Sequence, residues 1–181
     1  MHALRADAQR NRNRILEAAA GAYAELGPDV TIDEIARRAG VGHGTVCRRF
    51  PTKDSLRAAV THARLEELLE RARELLVESD AGAAFEEFIW HAAGIVRRDR
   101  ALFEAVEKCD AFAEVSATKQ ELHDTVDRLI RRAQRAGAVR RGLDSRDIGA
   151  LVGATMQAAV HAERDDAWRR YIQVVLDGLR A

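Results

Sequence analysis

Twenty consecutive residues, Thr31 to Phe50, form a pattern of two short helical segments separated by a glycine. The stretch opens on Thr31 followed three residues later by Glu34, which is the capping-box pattern of a helix N-terminus. Gly40 supplies a turn, and Pro51 ends the second segment because a proline disfavours helical geometry at the residue before it. Two short helices joined by a tight glycine turn are typical of a helix-turn-helix.

The second of these segments, from about residue 43 to residue 50, has the composition of a helix that enters DNA. The major groove admits an α-helix and presents a different donor and acceptor pattern for each base pair. The residues predicted to face outward are small or polar, which suits a surface close to DNA: His43, Gly44, Thr45, Cys47, Arg48 and Arg49. The residues predicted to hold the two helices together are apolar: Ile32, Ile35, Ala36, Val41, Val46 and Phe50. In the alternative interpretation, Arg48 and Arg49 are ordinary surface charges.

The rest of the chain predicts an all-α fold. Of 181 residues, 47% are hydrophobic and only two are proline, and alanine, leucine, arginine and glutamate are abundant. The periodicity predicts about nine helices, at roughly 7–26, 31–39, 43–50, 52–77, 83–97, 100–110, 114–136, 144–163 and 166–179. We expect an N-terminal three-helix domain over 1–55 and a C-terminal helical domain over 56–181.

Charge and hydropathy suggest where the protein works. The net charge is zero, but residues 1–60 carry ten basic against seven acidic side chains, an excess that suits phosphates or a solvated helix face equally well. No apolar run is long enough to span a bilayer, and the basic N-terminus lacks the apolar core of a signal peptide. We therefore expect a cytoplasmic bacterial protein, in which Cys47 and Cys109 are free thiols.

The segment from Thr31 to Leu56 resembles the DNA-binding domain of the tetracycline-repressor (TetR) family, as does the preceding helix with Arg14 to Ala19 and Gly27. The resemblance covers about residues 10–60. It implies a homodimer that binds palindromic, double-stranded operator DNA. It also implies that a small-molecule effector binds the C-terminal helices, most often to release a repressor from DNA.

The resemblance also implies roles for eight positions at the DNA: Thr31, His43, Gly44, Thr45, Cys47, Arg48, Arg49 and Lys53. Thr31 and Lys53 look like phosphate contacts, His43 looks like a contact to base edges, and Gly44 allows a close approach. Cys47 departs from the family, which usually has a tyrosine there; a cysteine reaches less far and is a poor hydrogen-bond donor. Cys47 is either a tolerated substitution or a redox-sensing thiol.

The C-terminal helices suggest two further sites. Residues that suit an effector pocket, but also an ordinary core, are Phe88, Trp90, His91, Phe103, Cys109, His123 and Met156. Stripes on the last two helices suit either a four-helix dimer interface or the core of one subunit: Leu151, Val152, Thr155, Met156, Ala159, Val160, Trp168, Ile172, Val175 and Leu176. A dimer is expected because two recognition helices must meet half-sites about one DNA turn apart.

Catalytic and metal-binding patterns do not emerge from the sequence. There is no glycine-rich phosphate loop, no nucleophile elbow and no His-Glu-x-x-His, and the spacing of the histidines and cysteines fits no common metal site. We expect neither an enzyme nor a cofactor. Two competing interpretations are a helical interaction module that has lost DNA binding and a small helical enzyme.

Overall fold

The computed structural model describes residues 2–27, 29–99, 112–160, 162, 164 and 166–181, with side chains from residue 7 onward. These residues form eight α-helices: α1 (His2–Leu26), α2 (Ile32–Ala39), α3 (His43–Arg49), α4 (Lys53–Leu75), α5 (Ala81–Arg98), α6 (Ala113–Arg135), α7 (Ser145–Ala159) and α8 (Ala167–Leu179). Within the same ranges the only β-type pairing is a single antiparallel bridge between Val139 and Arg180. The prediction of an all-α fold is confirmed. The helix predicted at 100–110 lies outside the described residues.

One helix is shorter than the sequence predicts. The periodicity carries α7 to about residue 163, but the helix ends at Ala159. There the backbone tightens, because Val160 N donates to Gln157 O and Ala162 N donates to Ala159 O, each only three residues back. Apolar spacing alone does not reveal this turn.

The chain divides into two compact units. The first comprises residues 1–64 and 98–116, and the second comprises residues 65–97 and 117–181. The division therefore falls within α4, between Arg64 and Leu65. The boundary between residues 55 and 56 stays a prediction.

The core of the first unit holds the two short helices in place. Ile35 of α2, Val46 of α3 and Leu56 of α4 are all fully buried, and they join one apolar cluster with α1. Of the six residues predicted for this core, four are buried and two, Ile32 and Val41, pack partly buried against it. Burying such side chains contributes about 1.5–3 kcal/mol each, which orients α3 without help from its own exposed residues.

The second unit contains the larger aromatic core. Its largest fully buried side chains come from four different helices: Leu75, Phe85, Ile89, Ile95, Leu129, Ile130, Ile172 and Leu176. Helix α7 starts at Asp144 with a complete capping box, in which the Asp144 side chain accepts from the amides of Arg146 and Asp147. The hydrogen bond from the Asp147 amide lowers the pKa of Asp144.

Candidate nucleic-acid interface

The turn between α2 and α3 fixes how α3 is presented. Gly40 adopts the left-handed conformation, with φ 63° and ψ 38°, where glycine carries no Cβ penalty. Val41 N donates to Ala36 O over 3.1 Å, which satisfies one of the last carbonyls of α2. A Cβ at Gly40 would lie 2.7 Å from Nη2 of Arg14, so both conformation and space favour glycine here.

Helix α3 buries one residue and leaves the others at the surface. Val46 is its only buried side chain. His43, Gly44, Arg48 and Arg49 are exposed, while Thr45 and Cys47 are half-buried. The six positions predicted to face outward therefore all reach the surface. Their contact with DNA stays a prediction.

Thr31 caps α2 as the sequence predicts, but the capping box is incomplete. Oγ1 of Thr31 accepts from the backbone N–H of Glu34 over 3.2 Å. The Glu34 carboxylate binds the guanidinium groups of Arg37 and Arg38 instead of returning to the N-cap. These hydrogen bonds, first from Arg37 and then from Arg38, lower the pKa of Glu34 from 4.5 to about 2. Thr31 remains exposed, so its hydroxyl can cap α2 as an acceptor and still donate a hydrogen bond to a phosphate.

Two of the predicted cationic contacts have internal partners that leave donors available. Nζ of Lys53 donates to the backbone carbonyl of Asp29 over 3.3 Å, and an ammonium group has three protons to donate. Nη2 of Arg48 lies 3.5 Å from Oγ1 of Thr45, one turn earlier on α3. Both cations are exposed, so these contacts orient them at the surface of the first unit.

The structure adds one residue that the sequence analysis did not identify. Nδ1 of His43 lies 2.6 Å from Oδ1 of Asp33, and Nε2 of the same ring lies 3.1 Å from Sγ of Cys47. The contact between His43 and Cys47 could be expected from the sequence, because the two residues are four positions apart on one helix. The contact with Asp33 could not, because only the turn at Gly40 brings the start of α2 beside the start of α3.

The described residues predicted for an effector site lie in the second unit, mostly within its core. Phe88 and Met156 are buried, and Trp90 and His91 are half-buried. Nδ1 of half-buried His123 lies 3.2 Å from Oγ of Ser145, and burial lowers the pKa of His123. Phe103 and Cys109 lie outside the described residues. A small depression in this unit has none of these candidates in its lining, which includes Phe85, Val139, Leu179 and Arg180. The assignment of an effector site stays a prediction.

The predicted dimer stripe divides into a buried and an accessible part. Val152, Met156, Trp168, Ile172 and Leu176 are buried in their own unit, so these five serve its core. Trp168 shows how: its ring contacts Trp90 edge to face, with centroids 6.0 Å apart, and lies beneath the guanidinium groups of Arg97 and Arg169. Leu151 and Val160 are exposed, and Thr155, Ala159 and Val175 are half-buried.

Large apolar side chains extend that accessible part of α7 and α8. Val174 is 70% exposed and Tyr171 is 36% exposed, although neither was among the predicted interface residues. Helices α7 and α8 pack against each other within the second unit. Together with Leu151 they present apolar surface that a second copy could cover.

The described part of the chain also lacks two other kinds of feature. None of its helices combines the length and apolar character needed to cross a lipid bilayer. Across the same residues, no group of three or more histidine, cysteine, aspartate or glutamate side chains is arranged to hold a metal ion.

Two family models match the chain. The model for bacterial regulatory proteins of the tetR family matches residues 15–60. The model for the C-terminal domain of SbtR-like transcriptional regulators matches residues 80–181, which is more than half of the chain. The first match contains the two short helices described above, and the second falls on the C-terminal helices.

Individual proteins agree with these matches. An uncharacterized HTH-type transcriptional regulator of Mycobacterium tuberculosis is 31% identical over 154 residues, which are 82% of this chain and 79% of the relative. The crystal structure of a TetR transcription regulatory protein from Mycobacterium vanbaalenii is 36% identical and covers 98% of this chain and 99% of its own, with a TM-score of 0.74. A TetR transcriptional regulator from Streptomyces coelicolor is 28% identical and covers 93% of this chain and 98% of its own, with a TM-score of 0.72.

Proposed function

The chain belongs to the TetR family of bacterial regulatory proteins, and we propose that it is a homodimeric repressor that an effector releases from palindromic operator DNA. A DNA-binding transcriptional regulator, and not an enzyme, is what its family models and relatives show. The family's members bind operator DNA and small-molecule effectors and act as dimers. The protein would do this in the cytoplasm, where its operator lies.

The observation that carries the DNA-contact proposal is the way α3 is held. Val46 anchors the helix from beneath with no exposed surface, and Arg48 and Arg49 are left outside it. An exposed short helix with two arginines in its last turn can enter the major groove while these arginines reach phosphate oxygens or the acceptors of guanine. Gly44 has no side chain to keep α3 away from the duplex. Thr31 and Lys53 lie at the starts of the helices before and after it, where phosphate contacts would fix its register.

The dimer proposal is supported by the accessible apolar surface of α7 and α8. Leu151 and Val174 are each more than 40% exposed in the single subunit, and a partner helix would remove this apolar surface from water. The exposed glycines Gly149 and Gly153 would let a partner helix approach closely. A two-fold dimer would double the number of phosphate contacts and present two copies of α3 to inverted half-sites.

The effector proposal is supported by the second unit, which has an aromatic core and half-buried polar side chains such as His91 and His123. An effector releases DNA only if it binds the DNA-incompetent arrangement of the dimer more tightly, and operator DNA then weakens effector binding by the same factor. Binding screens with the intact dimer would identify the effector.

A salt titration of single variants tests the DNA contacts. For B-DNA, the logarithm of the binding constant falls with the logarithm of salt concentration, with a slope of about −0.9 for each phosphate neutralised. Arg48→Ala and Lys53→Ala should each weaken binding and flatten this slope by about one contact per subunit. Arg131→Ala is the matched control, since Arg131 is an exposed cation on α6 in the second unit. Unchanged slopes for both test variants would move the phosphate contacts to other residues, whereas a wild type that shows no salt-dependent binding at all would favour a helical module that has lost DNA binding.

A further inference from the structure

Three side chains from two helices form a continuous polar chain on the surface of the first unit. Sγ of Cys47 contacts Nε2 of His43 at 3.1 Å, and Nδ1 of His43 contacts Oδ1 of Asp33 at 2.6 Å. His43 and Cys47 are four residues apart on α3, so they lie on the same face of one turn, while Asp33 comes from α2. Cys47 is a free, half-buried cysteine, and the side chains of His43 and Asp33 are 56% and 78% exposed.

The order of these groups determines where the protons lie. A carboxylate can only accept a hydrogen bond, so the Nδ1 atom that contacts Asp33 carries the ring proton of neutral His43. The lone pair of the imidazole is then at Nε2, which is the atom that faces the sulfur of Cys47. The imidazole is therefore placed to accept the thiol proton, and the carboxylate both holds the ring and stabilises the imidazolium that results.

We propose that Cys47 is a covalent modification site for α,β-unsaturated carbonyl compounds, with His43 as its base and Asp33 as a positioning residue. The arrangement meets the geometric requirement for an activated nucleophile, which is a base within hydrogen-bond reach and a third group that orients the base. The family assignment does not explain this arrangement, since a contact with DNA requires neither a thiol nor a side chain that accepts its proton. Cys47 is half-buried beside two exposed side chains, so the cluster lies at the surface of the first unit, where small molecules from solution can reach it.

The addition balances without an external oxidant or reductant. Nε2 of His43 takes the proton from Sγ of Cys47, and the sulfur electron pair forms an S–C bond to the β-carbon. The π electrons of the C=C bond move onto the α-carbon and carbonyl oxygen as an enolate, and Nε2 returns the proton to the α-carbon. The product is a thioether in which every atom of both reactants is retained, and His43 is neutral again.

The position of the adduct gives the reaction a consequence, which rests on the proposed DNA-binding function. Cys47 lies between Thr45 and Arg48 on α3, within the surface proposed to meet the duplex. A thioether there adds bulk where Gly44 otherwise leaves room, and it ends the contact between the sulfur and the imidazole. Modification should therefore release DNA directly at the recognition helix, without an effector in the second unit.

The reactivity itself is tested on the intact dimer without DNA, using N-ethylmaleimide as the probe. Peptide mapping by mass spectrometry follows the labelling of Cys47, and a cysteine-containing peptide added to the same sample serves as the reference. We expect His43→Ala to slow labelling of Cys47 by about a hundredfold, the lower end of the range for loss of a general base, while labelling of the reference peptide is unaffected. Added imidazole should restore part of the rate at Cys47, which a merely structural role of His43 would not allow.

Asp33→Asn provides a second variant that keeps the size of the side chain and removes its charge. It should slow labelling of Cys47 by a smaller factor than His43→Ala, because the imidazole remains but its protonated form is less well stabilised. Equal labelling rates of Cys47 in the wild type, His43→Ala and Asp33→Asn would overturn the proposal. So would failure of imidazole to accelerate labelling in His43→Ala.

The effect on DNA is measured by titrating labelled and unlabelled dimer with duplex. Labelled wild type should bind duplex at least about tenfold more weakly than unlabelled wild type, a loss of about 1.4 kcal/mol in binding free energy. Treatment of Cys47→Ser with N-ethylmaleimide should leave the affinity of that variant at its untreated value. Undiminished binding by the labelled protein would overturn the regulatory consequence. If unlabelled wild type binds no duplex at all, the proposed function fails while the labelling experiment still decides whether the site exists.

Discussion

The guanidinium of Arg14 donates a hydrogen bond of 2.7 Å to the backbone carbonyl of Ala39, the last residue of α2. The same Nη2 atom lies 3.5 Å from the carbonyl oxygen of Gly40. Helix α1 thereby satisfies a carbonyl that the end of α2 leaves without an intrahelical partner. The turn that orients α3 is consequently fixed from outside the helix-turn-helix as well as by its own glycine.

Removing this contact should loosen the turn. We expect Arg14→Ala to lower the free energy of unfolding by about 1 kcal/mol, since hydrogen bonds to charged groups contribute somewhat more than neutral ones but this one is partly exposed. Urea denaturation followed by circular dichroism measures the change. Arg12→Ala, two positions earlier on α1, keeps the contact to Ala39 and is the control. An equal loss of stability in both variants would contradict the role given to Arg14.

Gly44→Ala should separate folding from DNA binding. A Cβ at this position would lie 4.0 Å from Nη1 of Arg48, an ordinary contact, and alanine favours a helix over glycine by up to about 1 kcal/mol. The variant should therefore be at least as stable as the wild type in thermal unfolding, yet bind duplex more weakly because the methyl group projects from the DNA-facing surface. Gly21→Ala in α1 is the matched control, since its Cβ meets nothing within 4 Å. Wild-type DNA affinity of Gly44→Ala would show that α3 does not approach the duplex closely there.

Removing one partner of the buried ion pair between Asp99 and Arg64 should destabilise the first unit strongly. Oδ2 of Asp99 lies 2.7 Å from Nε of Arg64, and the two side chains are only 2% and 10% exposed. Asp99→Ala would leave the guanidinium buried without this carboxylate, a change that typically costs about 3–5 kcal/mol. Arg64 also reaches Glu17 of α1, so the loss should extend to the helices that support α3.

Equilibrium unfolding in urea checks this expectation. Asp54→Ala, which removes the partner of Arg57 from a pair whose acidic side chain is 76% exposed, should cost less than about 1 kcal/mol. If Asp99→Ala were as mild as Asp54→Ala, the buried guanidinium of Arg64 would not depend on the Asp99 carboxylate.

A charge on the apolar surface of α8 should dissociate the dimer. Val174 is 70% exposed in the single subunit, so Val174→Glu should leave the fold intact while placing a carboxylate inside the proposed interface. Sedimentation velocity should then show monomer at concentrations where the wild type is dimeric. Val77→Glu is the control, because Val77 is 85% exposed in the segment after α4. Persistence of the dimer in Val174→Glu would move the interface elsewhere.

The features that follow from local chemistry were predictable from the sequence. Gly40 and the Thr31 cap act through their own backbone neighbourhood, and the burial of Ile35, Val46 and Phe50 follows from helical spacing, so the structure agrees with all of them. The family resemblance of the N-terminal part was equally accessible, because it depends on a continuous run of residues.

The features that depend on tertiary contact were not predictable. An apolar stripe looks the same whether it faces its own core or a partner, which is why Trp168 and Ile172 were candidates for an interface although they are buried in the subunit. Glu34 was expected to return to the N-cap, but two arginines in the following turn compete for its carboxylate. The contact between Asp33 and His43 spans ten residues and a left-handed turn, and no periodicity encodes it.

Selection from a pool of random-sequence duplexes tests the central claim, which is that α3 reads base edges in two half-sites. The wild-type dimer should enrich an inverted repeat whose half-site centres lie about 10–10.5 base pairs, or a multiple of that, apart. It should bind this sequence at least about a thousandfold more tightly than a shuffled duplex, and a double variant, Thr45→Ala with Arg48→Ala, should lose that preference. A pool that remains random after repeated rounds, or an enriched sequence that the double variant binds as well as the wild type, would contradict the claim.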